Sequence, residues 1–201
     1  MMVLSFVLVW LFLLALCYIR GGKDYFKLFE FQCSLIHIIG GLLLASIGLC
    51  FKDENILKES VVLDFSLGYF VADLIVCLEK RDYVFIVHAL VSMGLNYVCR
   101  QPAYYALRCG SQGFMTELST IPYLFWQKTK KKSIYQVFVG VFFLCRIVWT
   151  PLFLRNTFSV VGIDTMPLLF SLGFYILQLG FFSKMISILK NYKEEDKPKL
   201  G

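Results

Sequence analysis

Seven runs of apolar residues, parted by short polar clusters, organise the 201-residue chain. They fall at about Val3–Ile19, Phe31–Phe51, Val61–Leu78, Tyr83–Val98, Phe114–Trp126, Ile134–Phe153 and Met166–Leu189. A membrane-spanning helix needs about 20 apolar residues, within a range of about 17–25. The fifth run reaches that length only if the preceding PAYYALRCGSQG adds helix. In the sixth, Thr150-Pro151 is expected to kink or end the helix, because proline lacks an N–H and its ring crowds the carbonyl one turn back. The pattern predicts an all-α polytopic membrane helix bundle with about seven transmembrane helices.

Composition agrees and narrows the class. The chain is 58% hydrophobic and 17% charged, with a mean hydropathy of +0.69; soluble domains run at about 45–50% apolar and about 25% charged. The excess lies in the runs, which excludes a single water-soluble core. A net charge of +6 could suggest nucleic acid, but the basic residues sit between apolar runs and no nucleic-acid motif accompanies them. They read as topology signals instead. Lys52, Lys58, Arg100, Arg108 and Arg155 flank one side. Arg20, Lys23, Lys27, Lys80, Arg81, Lys128, Lys130, Lys131, Lys132, Lys190, Lys193, Lys197 and Lys199 flank the other. That bias predicts a cytosolic C-terminus and a lumenal or outer N-terminus, provided the fifth run crosses. The first run lacks a basic leader segment and exceeds a signal-peptide core in length, so a retained anchor is expected. The tail KNYKEEDKPKLG should be solvated. The seven cysteines form no C-x-x-C pair and read as small hydrophobes. No metal or cofactor site is expected.

Among the ionisable residues within the apolar runs, five stand out: His37, Asp73, His88, Glu117 and Arg146. Such residues cost about 2.5–3.5 kcal/mol at a span centre and persist where they face a bundle interior or a wet cavity. Their neighbours form stripes at helical spacing. Ser66, Tyr69 and Asp73 share one face, as do His88, Ser92 and Asn96. Thr116, Glu117, Ser119 and Thr120 crowd one short segment, and Gly40-Gly41 follows His37 by a turn, where glycine admits a close neighbour. The expectation is a polar cavity inside an apolar bundle. Arg146 needs a counter-charge, with Glu117 and Asp73 as candidates, and the pair can be purely structural. For Asp73 the plain alternative is an interhelical hydrogen bond. His37 reads as a satisfied core histidine, whereas His88 could accept a proton or an acyl group. Glu59 and Asp64 should be interfacial, and Tyr104, Tyr105, Tyr123, Phe125 and Trp126 suit interfacial belts.

The order LIHIIGG, SLGYFVADL, DYVFIVHALVS, TELST, FFLCRIV on successive spans resembles the TLC-domain family, and most closely its smaller members. The resemblance covers roughly residues 31–189. It implies a six-helix core around a central cavity behind an extra N-terminal helix (residues 1–22), a charged tail at 190–201, a role in lipid homeostasis and an endoplasmic-reticulum address. His88 matches the first histidine of the His-His pair found in ceramide synthases; Ala89 stands at the second, and of the later acidic positions only Glu117 is kept. These departures weigh against ceramide-synthase activity.

Two functions are expected to compete. One is binding or handling of a membrane lipid or acyl chain, with His37, Ser66, Tyr69, Ser92, Asn96, Ser119 and Arg146 lining the cavity. The alternative is an acyl-CoA-dependent acyltransferase in which His88 is the base or acyl acceptor, with Glu117 and Asp73 assisting. Buried ionisable groups would also suit a transporter, but no pair of broken, repeat-related helices accompanies them.

Overall fold

The computed structural model describes residues 2–192, and the described residues contain helices and no strand. Residues 193–201, which carry most of the charged tail, lie outside the described residues. Helix α1 (Met2–Gly21) ends at Gly22, whose φ of +51° is a left-handed conformation open to glycine. A 3-10 turn (Gly22–Asp24), α2 (Tyr25–Leu28) and a π-type turn (Phe29–Cys33) lead into α3 (Ser34–Phe51). This apolar stretch is helical for 49 residues, enough for a rod of about 70 Å. Yet the rings of Trp10 and His37 lie 6.0 Å apart. The chain therefore doubles back, and α1 and α3 are two arms of a hairpin.

Helix α4 (Glu59–Lys80) packs between these arms and α5 (Tyr83–Cys99). Glycine sets its approach to α1: a Cβ on Gly68 would lie 2.6 Å from Trp10 and 2.9 Å from the Phe6 carbonyl. Trp10 Nε1 donates to the Phe65 carbonyl at 3.0 Å across the same seam. Close backbone approach and interhelical hydrogen bonds are what hold helices together where lipid removes most of the hydrophobic drive.

The fifth region is built from α6 (Pro102–Ala106), α7 (Cys109–Phe114), a 3-10 turn (Met115–Ser119) and α8 (Thr120–Thr129). Arg108, early in this region, lies beside Gly48, near the end of α3, and the region finishes with Lys128 Nζ 3.6 Å above the Phe31 ring, in the π-type turn that leads into α3. It thus runs the length of the bundle, and part of PAYYALRCGSQG does contribute helix.

The sixth region runs as α9 (Lys132–Phe142), a π-type turn (Phe143–Val148) and α10 (Trp149–Val161). Of the two outcomes expected at Pro151, a kink or an end, the end does not occur: α10 continues through it. The carbonyl orphaned by the missing Pro151 N–H is that of Ile147, and Tyr175 Oη of α11 (Thr165–Lys190) donates to it at 3.3 Å. A neighbouring helix thereby replaces the lost rung.

Four helical stretches are long and apolar enough to cross a membrane: Val3–Phe51, Glu59–Lys80, Lys132–Val161 and Thr165–Lys190; Tyr83–Cys99 is a shorter apolar helix. Large apolar side chains such as Leu8, Phe12, Leu43, Leu152 and Ile176 are exposed on the outer surface, as lipid-facing residues should be. The chain is a multi-pass membrane protein.

Two expectations fail at the end where α4 begins. Glu59 and Asp64 are not interfacial; they are 0% and 2% exposed. Glu59 accepts from Ser111 N at 2.8 Å and Ser111 Oγ at 2.5 Å, and Asp64 pairs with Arg100 at 2.7 Å. Apolar composition could not show that α7 and Arg100 fold over the start of α4 and bury these carboxylates.

Candidate functional site

A cavity of about 500 Å³ opens at the end of the bundle where α3 starts and α4 ends. Its mouth carries Glu30, Lys80, Asp82, Gln127 and Lys184, and Lys80 is paired with Glu30. Its walls are largely aromatic, including Phe70, Phe85, Phe138, Phe142 and Phe181. His37, Asp73, His88, Glu117 and Arg146, drawn from five separate segments, all line this one space, together with Tyr69 and Ser119.

Arg146 organises the floor. It lies in the π-type turn of the sixth region, a widened geometry that recurs at functional positions. Its guanidinium donates from Nε to Ser119 Oγ (2.9 Å) and the Thr116 carbonyl (3.2 Å), from Nη1 to Gln178 Oε1 (3.1 Å), and from Nη2 to Glu117 Oε1 (3.0 Å) and Thr120 Oγ1 (3.1 Å). The facing segment is able to receive it because Met115–Ser119 is a 3-10 turn. Residues three apart eclipse there, which sets Thr116 and Ser119 in line along one edge of the guanidinium. The Phe142 ring covers the cation, 5.3 Å from Cζ to centroid. Glu117, and not Asp73, is the counter-charge; Thr120 Oγ1 also donates to its second oxygen at 3.0 Å.

Asp73 makes no hydrogen bond or ion pair among the described residues, so the interhelical bond considered for it is not formed; its carboxylate faces the cavity. His37 is buried and stacked on Tyr69, with ring centroids 3.9 Å apart, and its Nε2 lies 3.4 Å from Ser66 Oγ. Tyr69 Oη in turn meets Ser34 Oγ at 2.8 Å. His37 is a packed and satisfied core residue at the cavity wall. His88 differs. The rings of Phe70, Phe85, Phe174 and Phe181 surround it at 6.2–6.4 Å, and its buried Nδ1 has no hydrogen-bond partner among the described residues.

The stripe reading holds for the helix faces but joins two separate spaces. Ser66, Ser92 and Asn96 line a smaller pocket beyond Phe70 and Glu117 rather than the main cavity. Asn96 is moreover engaged as a tie between helices: its Nδ2 donates to the Leu63 carbonyl at 2.8 Å and its Oδ1 accepts from Arg100 at 3.1 Å. The close approach at Gly41 belongs to a protein side chain, since a Cβ there would lie 2.0 Å from Phe114 Cζ. Tyr123 and Trp126 line the cavity instead of forming a lipid-facing belt, while Phe125 stays exposed. The sequence reading missed Gln178, fully buried on α11; the signal available was a lone amide inside the apolar YILQLGF. Among the described residues no group of three or more His, Cys, Asp or Glu is arranged to hold a metal ion.

Chemically, the cavity offers apolar walls for a chain and a floor whose Arg146–Glu117 pair is internally neutralised. Beside it stand one free carboxylate and one imidazole with a free nitrogen. Residues 3–182 match the model of the TLC domain, a range that takes in α1 as well as the cavity-forming helices. No curated protein and no solved structure matches the chain. With nine-tenths of its length covered by that match, the chain belongs to the TLC-domain family.

Proposed function

We propose that the protein takes one membrane lipid or acyl chain into the cavity and thereby influences membrane lipid composition. The observation that carries this reading is the cavity itself. At about 500 Å³ it lies within the range of about 300–1,000 Å³ usual for small-molecule sites, and it pairs apolar walls with a few convergent polar groups in the way such sites do. Family membership supports a lipid as occupant. His37, Tyr69, Ser119 and Arg146 would contact the polar end, with Ser66, Ser92 and Asn96 supporting the wall behind. The lysine-rich end bearing the mouth is assigned to the cytosol by the Lys/Arg bias, which places the C-terminus there, and the endoplasmic reticulum is the proposed membrane. Residues 1–22 serve as the anchor arm, 31–189 as the TLC domain and 190–201 as the cytosolic tail.

A second reading, acyl transfer from acyl-CoA, draws support from the free Nδ1 of His88 and the unengaged Asp73, which line the same cavity. Against it, Glu117 is held by Arg146 and Thr120, and among the described residues no group orients the His88 ring by a hydrogen bond. A general base normally has such an orienting partner.

The test is native mass spectrometry and lipid extraction of the full chain purified in mild detergent. One lipid per chain is expected, lost when His88→Trp fills the cavity. Purified protein given labelled acyl-CoA with amine and hydroxyl acceptors should show no turnover. Turnover abolished in His88→Ala, with the melting profile intact, would favour the second reading, and absence of any retained lipid would overturn the first.

A further inference from the structure

Behind the floor of the main cavity lies a second space of about 130 Å³, and Phe70 and Glu117 belong to the walls of both. Its lining is mostly apolar, yet Ser66, Ser92, Thr116, Thr150 and Ser171 bring hydroxyl groups to it from α4, α5, the 3-10 turn, α10 and α11. Thr150 is 3% exposed, and its Oγ1 has no hydrogen-bond partner among the described residues. The hydroxyls of Ser92 and Ser171 make no hydrogen bond among the described residues either, so none folds back onto its own helix carbonyl.

A buried hydroxyl left unpaired costs about 1–3 kcal/mol, and in a bilayer no outside solvent relieves it. Cavities that stay dry are lined by apolar groups, whereas buried water occupies sites offering two to four polar partners. This pocket offers the three free hydroxyls and the Glu117 carboxylate. An ionised carboxylate has about four acceptor positions, and Arg146 and Thr120 are the side chains that hydrogen-bond to that of Glu117. Since a water's share of volume is about 30 Å³, the space fits about four waters.

We infer that this pocket binds a cluster of water molecules that solvates Glu117 from the side away from the cavity mouth. The cluster links the free hydroxyls of Ser92, Thr150 and Ser171 to the carboxylate. It keeps the Arg146–Glu117 pair hydrated even when an apolar chain fills the cavity on the other side. Asn96, which also lines the pocket, continues the polar line through direct contacts to Arg100 and Asp64. The inference stands independently of which ligand, if any, the main cavity takes.

The experiment is water-edited solid-state NMR on the isotope-labelled full chain in phosphatidylcholine nanodiscs. One sample has deuterated acyl chains and one has protonated chains. Thr150 and Ser171 side-chain carbons should gain polarisation from water about as fast as residues of the 52–57 loop, and several-fold faster than lipid-facing Leu152. Thr150→Val should slow the transfer at Ser171 and lower the melting midpoint, while Thr150→Ser should preserve both. Transfer to Thr150 from lipid methylene protons would show a hydrocarbon occupant and overturn the inference. A dry pocket would do so too, seen as no faster transfer than at Leu152 together with a higher midpoint for Thr150→Val.

Discussion

Replacing Arg146 by methionine removes a guanidinium that donates five hydrogen bonds and pairs with Glu117. What is left is a buried carboxylate without its counter-charge, whose remaining side-chain donor among the described residues is the Thr120 hydroxyl. Breaking a buried ion pair by deleting one partner costs about 3–5 kcal/mol. The Glu117 side chain keeps 17% of its exposure towards the cavity, so the lower half of that range, about 3–4 kcal/mol, is expected. For a chain of this size that corresponds to a fall in melting midpoint of about 6–16 °C. The assay is a fluorescence-detected melt of the full chain in detergent, run on Arg146→Met, Glu117→Leu and the double variant. Removing both charges relieves the unpaired carboxylate, so the double variant should recover part of the loss, with a coupling of about 2–3 kcal/mol. Full recovery is not expected, because Ser119 and Gln178 also lose their partner. Arg146→Lys should rescue only partly, since an ammonium cannot reproduce the planar fork. Strict additivity of the two single losses, or an Arg146→Met midpoint within about 2 °C of the parent, would refute the assignment of Arg146 as organiser of the floor.

Gly41→Ala should destabilise by about 1–3 kcal/mol through overpacking against Phe114, and an unchanged melt would contradict that contact. Tyr175→Phe should cost about 0.5–1.5 kcal/mol by removing the donor to the Ile147 carbonyl. The same substitution in a Pro151→Ala background should cost little, because the restored N–H takes that donor's place. Asp73→Asn should leave stability within about 0.5 kcal/mol, since the carboxylate has no partner to lose among the described residues, while changing the retained lipid seen by mass spectrometry. Equal lipid retention in both would remove Asp73 from the site.

Much of this architecture was legible because lipid imposes a simple rule: apolar runs of span length become helices, and ionisable residues within them turn inward. His37, Asp73, His88, Glu117 and Arg146 follow it without exception. What was not legible came from departures from 3.6-residue periodicity. Glu30, Glu117 with Ser119, and Arg146 all reach the cavity from π-type or 3-10 turns. No spacing rule marks those turns, and they decide that Glu117 rather than Asp73 meets the arginine. Tertiary cover was equally hidden. Glu59 and Asp64 look like the polar start of a span, and only the fold of Arg108, Ser111 and Arg100 over them makes them buried. Thr150 read as part of a proline break because its neighbour dominated the local signal, and the Tyr175 hydroxyl that repairs the break is on another helix.

The most direct test of the central claim is a cryo-electron microscopy map of the full chain in a nanodisc. The account predicts elongated density between Phe70, Phe142 and Phe181, with its polar end against the paired Arg146 and Glu117 and with His88 and Asp73 at its side. A collapsed interior, or any of these ionisable side chains turned outward into the acyl chains, would contradict it.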